Sequence, residues 1–237
     1  MTNSIYPGEV FANPSDFDRG IRQLLPRYDE MLDTVVACVP PTCQTILDLG
    51  CGTGELSLKL LERFPDTRVV AVDYSPRMVG VAREKVDRAG YSDRWQAIEA
   101  DFGDLATQSE STIDPVEACV SSLAIHHLSD EMKLTLFRWI ASILKPGGYF
   151  WNVDPVLPET PHLDRVYRSI RENWAAKQGS TLEAVRSKIG TSVSQGHSGP
   201  DRLTTLEAHL EMLKTAGFQS IAVPWKYYGF AILGGMT

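Results

Sequence analysis

The chain has 237 residues, 43% of them hydrophobic and 22% charged, proportions ordinary for a globular protein and enough for one α/β domain with an appendage. A net charge of −7 with a pI near 5.3 gives no electrostatic footprint for DNA or RNA. The four cysteines (Cys38, Cys43, Cys51, Cys119) lack CxxC spacing and read as reduced thiols, and no apolar run reaches membrane-spanning length. The N-terminal stretch MTNSIYPGEVF has neither the basic nor the apolar region of a secretory leader, so a soluble cytoplasmic protein is expected.

Residues 1–12 read as irregular. Asn13-Pro14-Ser15-Asp16 then predicts a helix start, with a capping residue before proline. Ile21, Leu24 and Leu25, followed by Tyr28, Met31, Leu32, Val35 and Val36 after Pro26, recur at intervals of three and four. They predict two amphipathic helices, and residues 1–44 form an N-terminal helical cap that ends near Pro40-Pro41. Thr45 to Leu49 is a short apolar run carrying only Asp48, the mark of a buried parallel strand. The three glycines of Gly50-Cys51-Gly52-Thr53-Gly54 let the backbone turn sharply and let a ligand approach the main chain. A helix from Glu55 to Arg63 follows, with Leu56, Leu60 and Leu61 on one face, and Phe64-Pro65-Asp66 stops it. A second apolar run, Arg68 to Val72, ends on Asp73. This βαβ unit, with an acid at the tip of its second strand, suits an adenosine-type ligand.

The dinucleotide fingerprint requires a third small residue where Glu55 stands, which argues against NAD. Asp48 would repel a pyrophosphate but attract an ammonium group. S-adenosylmethionine carries an ammonium, a sulfonium and no phosphate. Asp73 can accept from the ribose hydroxyls of either ligand.

Tyr74-Ser75-Pro76 opens the next helix, with Met78, Val81, Ala82 and Val86 on one face. Trp95 to Ala100 predicts the third strand, ending at Asp101-Phe102, and Asp114 to Ser122 contains the fourth, which leads into a loop from Ser121 to Leu128. A helix from Asp130 to Leu144 is closed by Lys145-Pro146-Gly147-Gly148. The fifth strand spans about Tyr149 to Val153 and stops at Asp154-Pro155. Residues 155–203 read as a helical insertion. It comprises a stripe of Leu163, Val166, Tyr167, Ile170 and Trp174, a shorter helix from Thr181 to Ile189, and a mobile Gly/Ser-rich loop from Thr191 to Asp201. Thr204-x-x-Glu207 predicts a capping box for the last helix. Phe218–Pro224 and Trp225–Leu233 then predict a terminal strand pair whose aromatics lie mostly in the core.

Asp48-Leu49-Gly50-Cys51-Gly52-Thr53-Gly54 with Asp73 resembles the first two motifs of class I S-adenosylmethionine-dependent methyltransferases. Glu99-Ala100-Asp101-Phe102, Ser121 through Leu128, and Leu144-Lys145-Pro146-Gly147-Gly148 continue the resemblance in the family's order, over residues 45–153. It implies a Rossmann-like seven-stranded sheet, order 3-2-1-4-5-7-6 with the last strand antiparallel and helices on both faces. Residues 45–154 would form the binding core and residues 204–237 would complete it. The implied cofactor is S-adenosyl-L-methionine, leaving as S-adenosyl-L-homocysteine. The implied site comprises Asp48, Gly50, Cys51, Gly52 and Gly54 in the turn, and Asp73 at the ribose. Tyr74 and Met78 lie on the adenine, Asp101 at its amino group with Phe102 beside it, and Ser121 in the loop nearest the methyl. From the cap, Tyr28 is the candidate for the methionine carboxylate, with Arg27 and Phe17 behind it.

Imidazole as a side-chain type titrates near neutrality, so either His126 or His127 can serve as general base or bond across the loop. The spacing of His126, His127, His162, His197 and His209 fits no simple ligand pattern, so no metal is expected. The insertion, above the strand ends, can roof an acceptor pocket, with Trp151, Asp154, Tyr167, Arg168, Trp174 and His197 as candidate contacts. The expected activity is methyl transfer to a small-molecule acceptor by direct displacement, with no nucleic-acid or membrane partner and the oligomeric state open. Three alternatives stand. One is an RNA or protein methyltransferase, for which no basic surface is visible. Another is a cofactor-modifying enzyme, through a faint similarity of Phe17-Asp18 and Lys214–Phe218 to carboxy-S-adenosylmethionine synthase. The third is a cofactor-sensing module.

Overall fold

The computed structural model describes residues 13–108, 111–186, 194 and 196–237. The expectation for residues 1–12 lies outside them, as do the end of the predicted 181–189 helix and residues 191–193 and 195 of the predicted loop.

Alternation along β1 (Thr45–Leu49) sets up two cores. Ile46 joins one buried cluster while Leu47 and Leu49 join the other, because successive strand side chains point to opposite faces. β1 pairs in parallel with both β2 (Arg68–Asp73) and β4 (Val116–Ser122), and β2 pairs in parallel with β3 (Trp95–Glu99). β5 (Leu144–Pro155) runs parallel to β4, whereas β7 (Phe230–Met236) is antiparallel to both β5 and β6 (Gln219–Tyr227). The seven-stranded order is β3-β2-β1-β4-β5-β7-β6. Connections leave β1 and β4 in opposite directions, so a crevice opens at their carboxyl ends.

One face is covered by α1 (Phe17–Leu24), α2 (Tyr28–Cys38), α3 (Glu55–Arg63) and α4 (Pro76–Ala89), which bury Leu24, Val35, Leu60 and Ala82 respectively. The other is covered by α5 (Phe102–Thr107) and α6 (Asp130–Ile143), joined later by the last helix. α7 (Pro161–Lys177) and α8 (Leu182–Arg186) lie between β5 and that helix, α9 (Leu206–Thr215). Fully burying a leucine such as Leu60 contributes about 1.5–3 kcal/mol. All four cysteines are free thiols. Among the described residues no helix is long and apolar enough to cross a membrane.

Several local expectations shift. Val79, not Val81, is buried on α4. The last helix is capped by Thr205, whose side chain accepts from Ala208 N at 3.2 Å. Thr204 is drawn away because its hydroxyl accepts from the buried Lys133 Nζ at 2.6 Å. β6 runs through Pro224 and turns at Tyr228-Gly229, because an edge strand does not need every N–H. Trp225 and Tyr227 are consequently half-buried and Tyr228 is exposed, leaving Phe230 as the buried aromatic of the hairpin.

Candidate active site

The glycine-rich turn is shaped by close packing below and openness above. Gly50 has φ +72°, and a Cβ there would collide with Ala124. Gly52 has φ +52°, and the nearest atom to a Cβ would be Met78 Cε at 3.9 Å. The amides of Gly50 and Cys51 donate to Val72 O at 2.7 and 3.0 Å. Gly52 N donates to Asp73 Oδ2 at 2.8 Å, and Ser75 N donates to Asp73 Oδ1 at 2.9 Å.

Both acids of the βαβ unit are buried. Burial lifts the pKa of Asp73 to about 6 against the pull of the backbone amides of Ser75 and Gly52. Burial also raises Asp48 to about 7, opposed by a hydrogen bond from Ser57 and reinforced by the charge of Asp73. Ser57 Oγ donates to Asp48 Oδ2 at 2.6 Å, whereas Asp48 Oδ1 is buried with no hydrogen-bond partner among the described residues. An orphaned buried carboxylate oxygen is costly unless a donor meets it, and a second acid nearby makes a cationic donor the best match.

The crevice above the turn brings together Asp48, Gly50, Cys51, Gly52, Asp73, Tyr74, Met78 and Phe102, with Tyr28 and Phe17 from the cap. Thr53, Ser122, Leu123, Ala124, His127 and Ser198 also line it. Charged contacts hold the cap in place. Thr53 Oγ1 donates to Asp18 Oδ1 at 2.5 Å, Lys85 Nζ donates to Asp18 Oδ2 at 2.7 Å and also reaches Glu55, and Arg22 bonds Glu55 at 2.6 Å. Trp174 Nε1 of α7 donates to Arg22 O at 2.9 Å, joining insertion and cap. Burial, and then the charge of Glu55, raises the pKa of the Tyr28 hydroxyl and keeps it a neutral donor.

Four predicted residues are placed elsewhere. Asp101 caps α5, its Oδ1 accepting from Gly103 N at 2.7 Å while Oδ2 accepts from His197 N at 3.0 Å, so both oxygens serve the backbone. Ser121 Oγ donates to Leu49 O at 2.8 Å inside the sheet, and Ser122 takes its place at the crevice. Gly54 starts α3 with φ +79° and packs on Ala82. Arg27 pairs with Glu30 at 2.6 Å and lies over the Tyr227 ring, away from the turn.

The two histidines part. His126 Nδ1 lies 2.7 Å from Asp154 Oδ1, and Asn152 Nδ2 donates to Asp154 Oδ2 at 3.0 Å. Burial opposes ionisation of Asp154, but His126 and Asn152 hold its pKa below the usual carboxylate range. His127 Nδ1 lies 3.0 Å from Gly199 O and can only donate to it, leaving Nε2 buried, deprotonated and without a hydrogen-bond partner among the described residues. Burial, with the neighbouring His126, lowers the pKa of His127 to about 4. Leu123, just before them, takes φ +55°, a strain of about 1–3 kcal/mol of the kind that collects at ligand sites.

Of the candidate acceptor contacts, Trp151 Nε1 of β5 bonds Cys38 O at 2.9 Å, His197 reaches Asp104 at 3.0 Å, and Tyr167 and Arg168 line a second cavity beside Phe230. The segment 196–202 lies within the insertion expected to roof the acceptor pocket, and Ser198 lines the crevice. Gly199 N donates to His127 O at 3.1 Å and Arg202 N donates to His126 O at 2.8 Å, contacts across some 70 residues that no local pattern announces.

Residues 46–148 match the model of a methyltransferase domain. The chain is 28% identical over 202 residues to an uncharacterized methyltransferase of Geobacillus sp. (strain WCH70), covering 85% of this chain and 81% of that protein. It is 33% identical over 150 residues to the biotin biosynthesis bifunctional protein BioHC of Teredinibacter turnerae, covering 61% of this chain. The fold superposes on the structure of PigF with SAH at a TM-score of 0.66 and 16% identity, covering 95% of this chain. The chain spans 25% of the length of BioHC and 59% of PigF. The paired acids and the open glycine turn fit S-adenosyl-L-methionine, and they lie in the stretch, residues 46–148, that matches a methyltransferase domain.

Proposed function

We propose that the protein transfers the methyl group of S-adenosyl-L-methionine to a small-molecule acceptor by direct displacement. The observation that carries this reading is the imidazole of His127, which lines the crevice with its Nδ1–H engaged by Gly199 and its Nε2 lone pair unclaimed among the described residues. That nitrogen accepts the proton of an acceptor hydroxyl or amine as the nucleophile attacks. When bound, the cofactor supplies a methyl group on a positively charged sulfur, already a good leaving group. The residues of the chain hold and align. Asp48 and the backbone of Gly50 and Gly52 take the ammonium end, and Asp73 accepts from the ribose. Tyr74, Met78 and Phe102 flank the adenine, and Tyr28 donates to the carboxylate. The cap, the 196–202 segment and α7 exclude water, with residues 155–203 as the roof of the acceptor side. The net charge of −7 supports a small acceptor over RNA.

The test is incubation with methyl-labelled cofactor and a panel of phenols, amines and thiols, followed by mass spectrometry. A methylated product with equimolar S-adenosylhomocysteine is expected. His127→Ala is expected to lower kcat by about 10²–10⁴-fold while leaving cofactor affinity near that of the parent. Absence of calorimetric heat with either nucleoside, together with indifference to Gly52→Val, would refute it. An altered nucleoside with no methylated acceptor would establish cofactor modification instead, and salt-sensitive retention on RNA would establish a nucleic-acid substrate.

A further inference from the structure

We infer that His126, His127 and Asp201 form a binding site for a divalent transition-metal ion, of the zinc type, at the outer rim of the crevice. One ligand atom from each of the three residues lies within 4.8 Å of the others. His126 Nε2 and His127 Nδ1 are each 3.7 Å from Asp201 Oδ1. Tetrahedral zinc with bonds of about 2.0–2.2 Å sets its ligand atoms roughly 3.4 Å apart, close to the 3.7 Å that separates Asp201 Oδ1 from each histidine nitrogen.

The surroundings support a metal more than the triad alone does. His126 donates Nδ1–H to Asp154 Oδ1 at 2.7 Å, so in the neutral ring the lone pair is on Nε2, which faces Asp201. A carboxylate behind a histidine in this way fixes the ring of a metal ligand and raises its basicity. Asp154 is itself fully buried and held by Asn152 Nδ2 at 3.0 Å, so the orienting carboxylate is immobile. The two rings lie 4.1 Å apart, centroid to centroid, within the single 3-10 turn Ile125–His127. A metal on His127 Nδ1 replaces the hydrogen that this nitrogen gives to the Gly199 carbonyl 3.0 Å away, and the freed carbonyl is an oxygen ligand beside the same point. The Asp201 side chain is 67% exposed, giving an ion a path from solvent.

A consequence follows that rests on His127 being the base. With the metal on Nδ1, the one proton of the neutral ring resides on Nε2, and the nitrogen in the crevice can donate but no longer accept. Loading the site therefore suppresses the transfer.

The test is calorimetric titration of EDTA-stripped protein with zinc chloride, alongside visible absorption with Co²⁺, whose four-coordinate complexes have intense bands. One equivalent of zinc is expected to bind. Affinity should fall at least tenfold in Asp201→Asn and about 10- to 100-fold in Asp154→Asn. Because Asp201 is exposed, its variant keeps the fold, which circular dichroism and titration with S-adenosylhomocysteine verify. No heat up to millimolar zinc, or unchanged one-equivalent binding in Asp201→Asn, would overturn the site. Normal nucleoside binding without zinc binding overturns this inference only, whereas absent nucleoside binding in the parent protein overturns the methyltransferase reading.

Discussion

Gly52 N donates to Asp73 Oδ2 at 2.8 Å, tying the bend after β1 to the acid at the tip of β2. The carboxylate therefore shapes the turn as well as facing the crevice, and its second oxygen braces Ser75 at the start of α4.

Removing that brace should damage both roles. Asp73→Ala strands two amide donors, costing about 1–3 kcal/mol for each that stays buried. Denaturant titration should show the loss of stability, and calorimetry with S-adenosylhomocysteine should show affinity down at least tenfold. Retained affinity would mean the ribose is held elsewhere.

The raised pKa values of Asp48 and Asp73, about 7 and about 6, make a signed pH prediction. Each acid binds its proton more tightly folded than unfolded, so the contribution of this pair to stability is greatest below the unfolded value near 4. It is lost as pH rises through 6 and 7. A cationic ligand reverses the preference by favouring the ionised acids. Nucleoside binding should strengthen from pH 5 to 7 and release protons at pH 6.5, seen as a buffer-dependent heat. Asp48→Asn should flatten both trends, and proton uptake on binding would contradict the assignment.

The cap is latched by Asp18, which accepts from Thr53 at 2.5 Å and from Lys85 at 2.7 Å. These groups are partly exposed, so Asp18→Asn should cost only about 1 kcal/mol, a factor of about 5 in a rate or equilibrium. Stopped-flow release of S-adenosylhomocysteine should quicken by about that factor with little change in Tm. An unchanged release rate would mean the cap does not gate the nucleoside.

Lys133 is fully buried, and its ammonium donates to Asp130 at 2.9 Å, Thr204 at 2.6 Å and Arg202 O at 2.5 Å. Lys133→Ala should cost roughly 3 kcal/mol, because three charge-assisted bonds are lost in a closed space. Thermal denaturation reads this directly, and a change below 0.5 kcal/mol, the scale of an ordinary surface substitution, would show that the pocket relaxes around the gap.

Wherever one neighbour in sequence decides the outcome, the sequence was readable. Thr45–Leu49, the glycine turn, Glu55–Arg63 and Asp73 emerge as expected because apolar period, missing side chains and a stopping proline act within a few residues. Asp101 caps α5, a second role open to any acid that stands before a helix and one the strand-end pattern alone does not reveal. Thr204 lost the cap to Thr205 because a buried lysine distant in sequence claims its hydroxyl. The Gly/Ser-rich composition near residue 196 suggested mobility, yet the Asp101 carboxylate and the carbonyls of His126 and His127 accept from main-chain amides at its described end, contacts between residues distant in sequence that local patterns do not encode. Asp201 escaped notice as a partner of the histidines for the same reason of distance.

The bond from Trp174 to the carbonyl of Arg22 couples two lids that could otherwise open independently. Under the proposed function, an acceptor that displaced α7 would also pull on α1, so the nucleoside and the product would share one doorway.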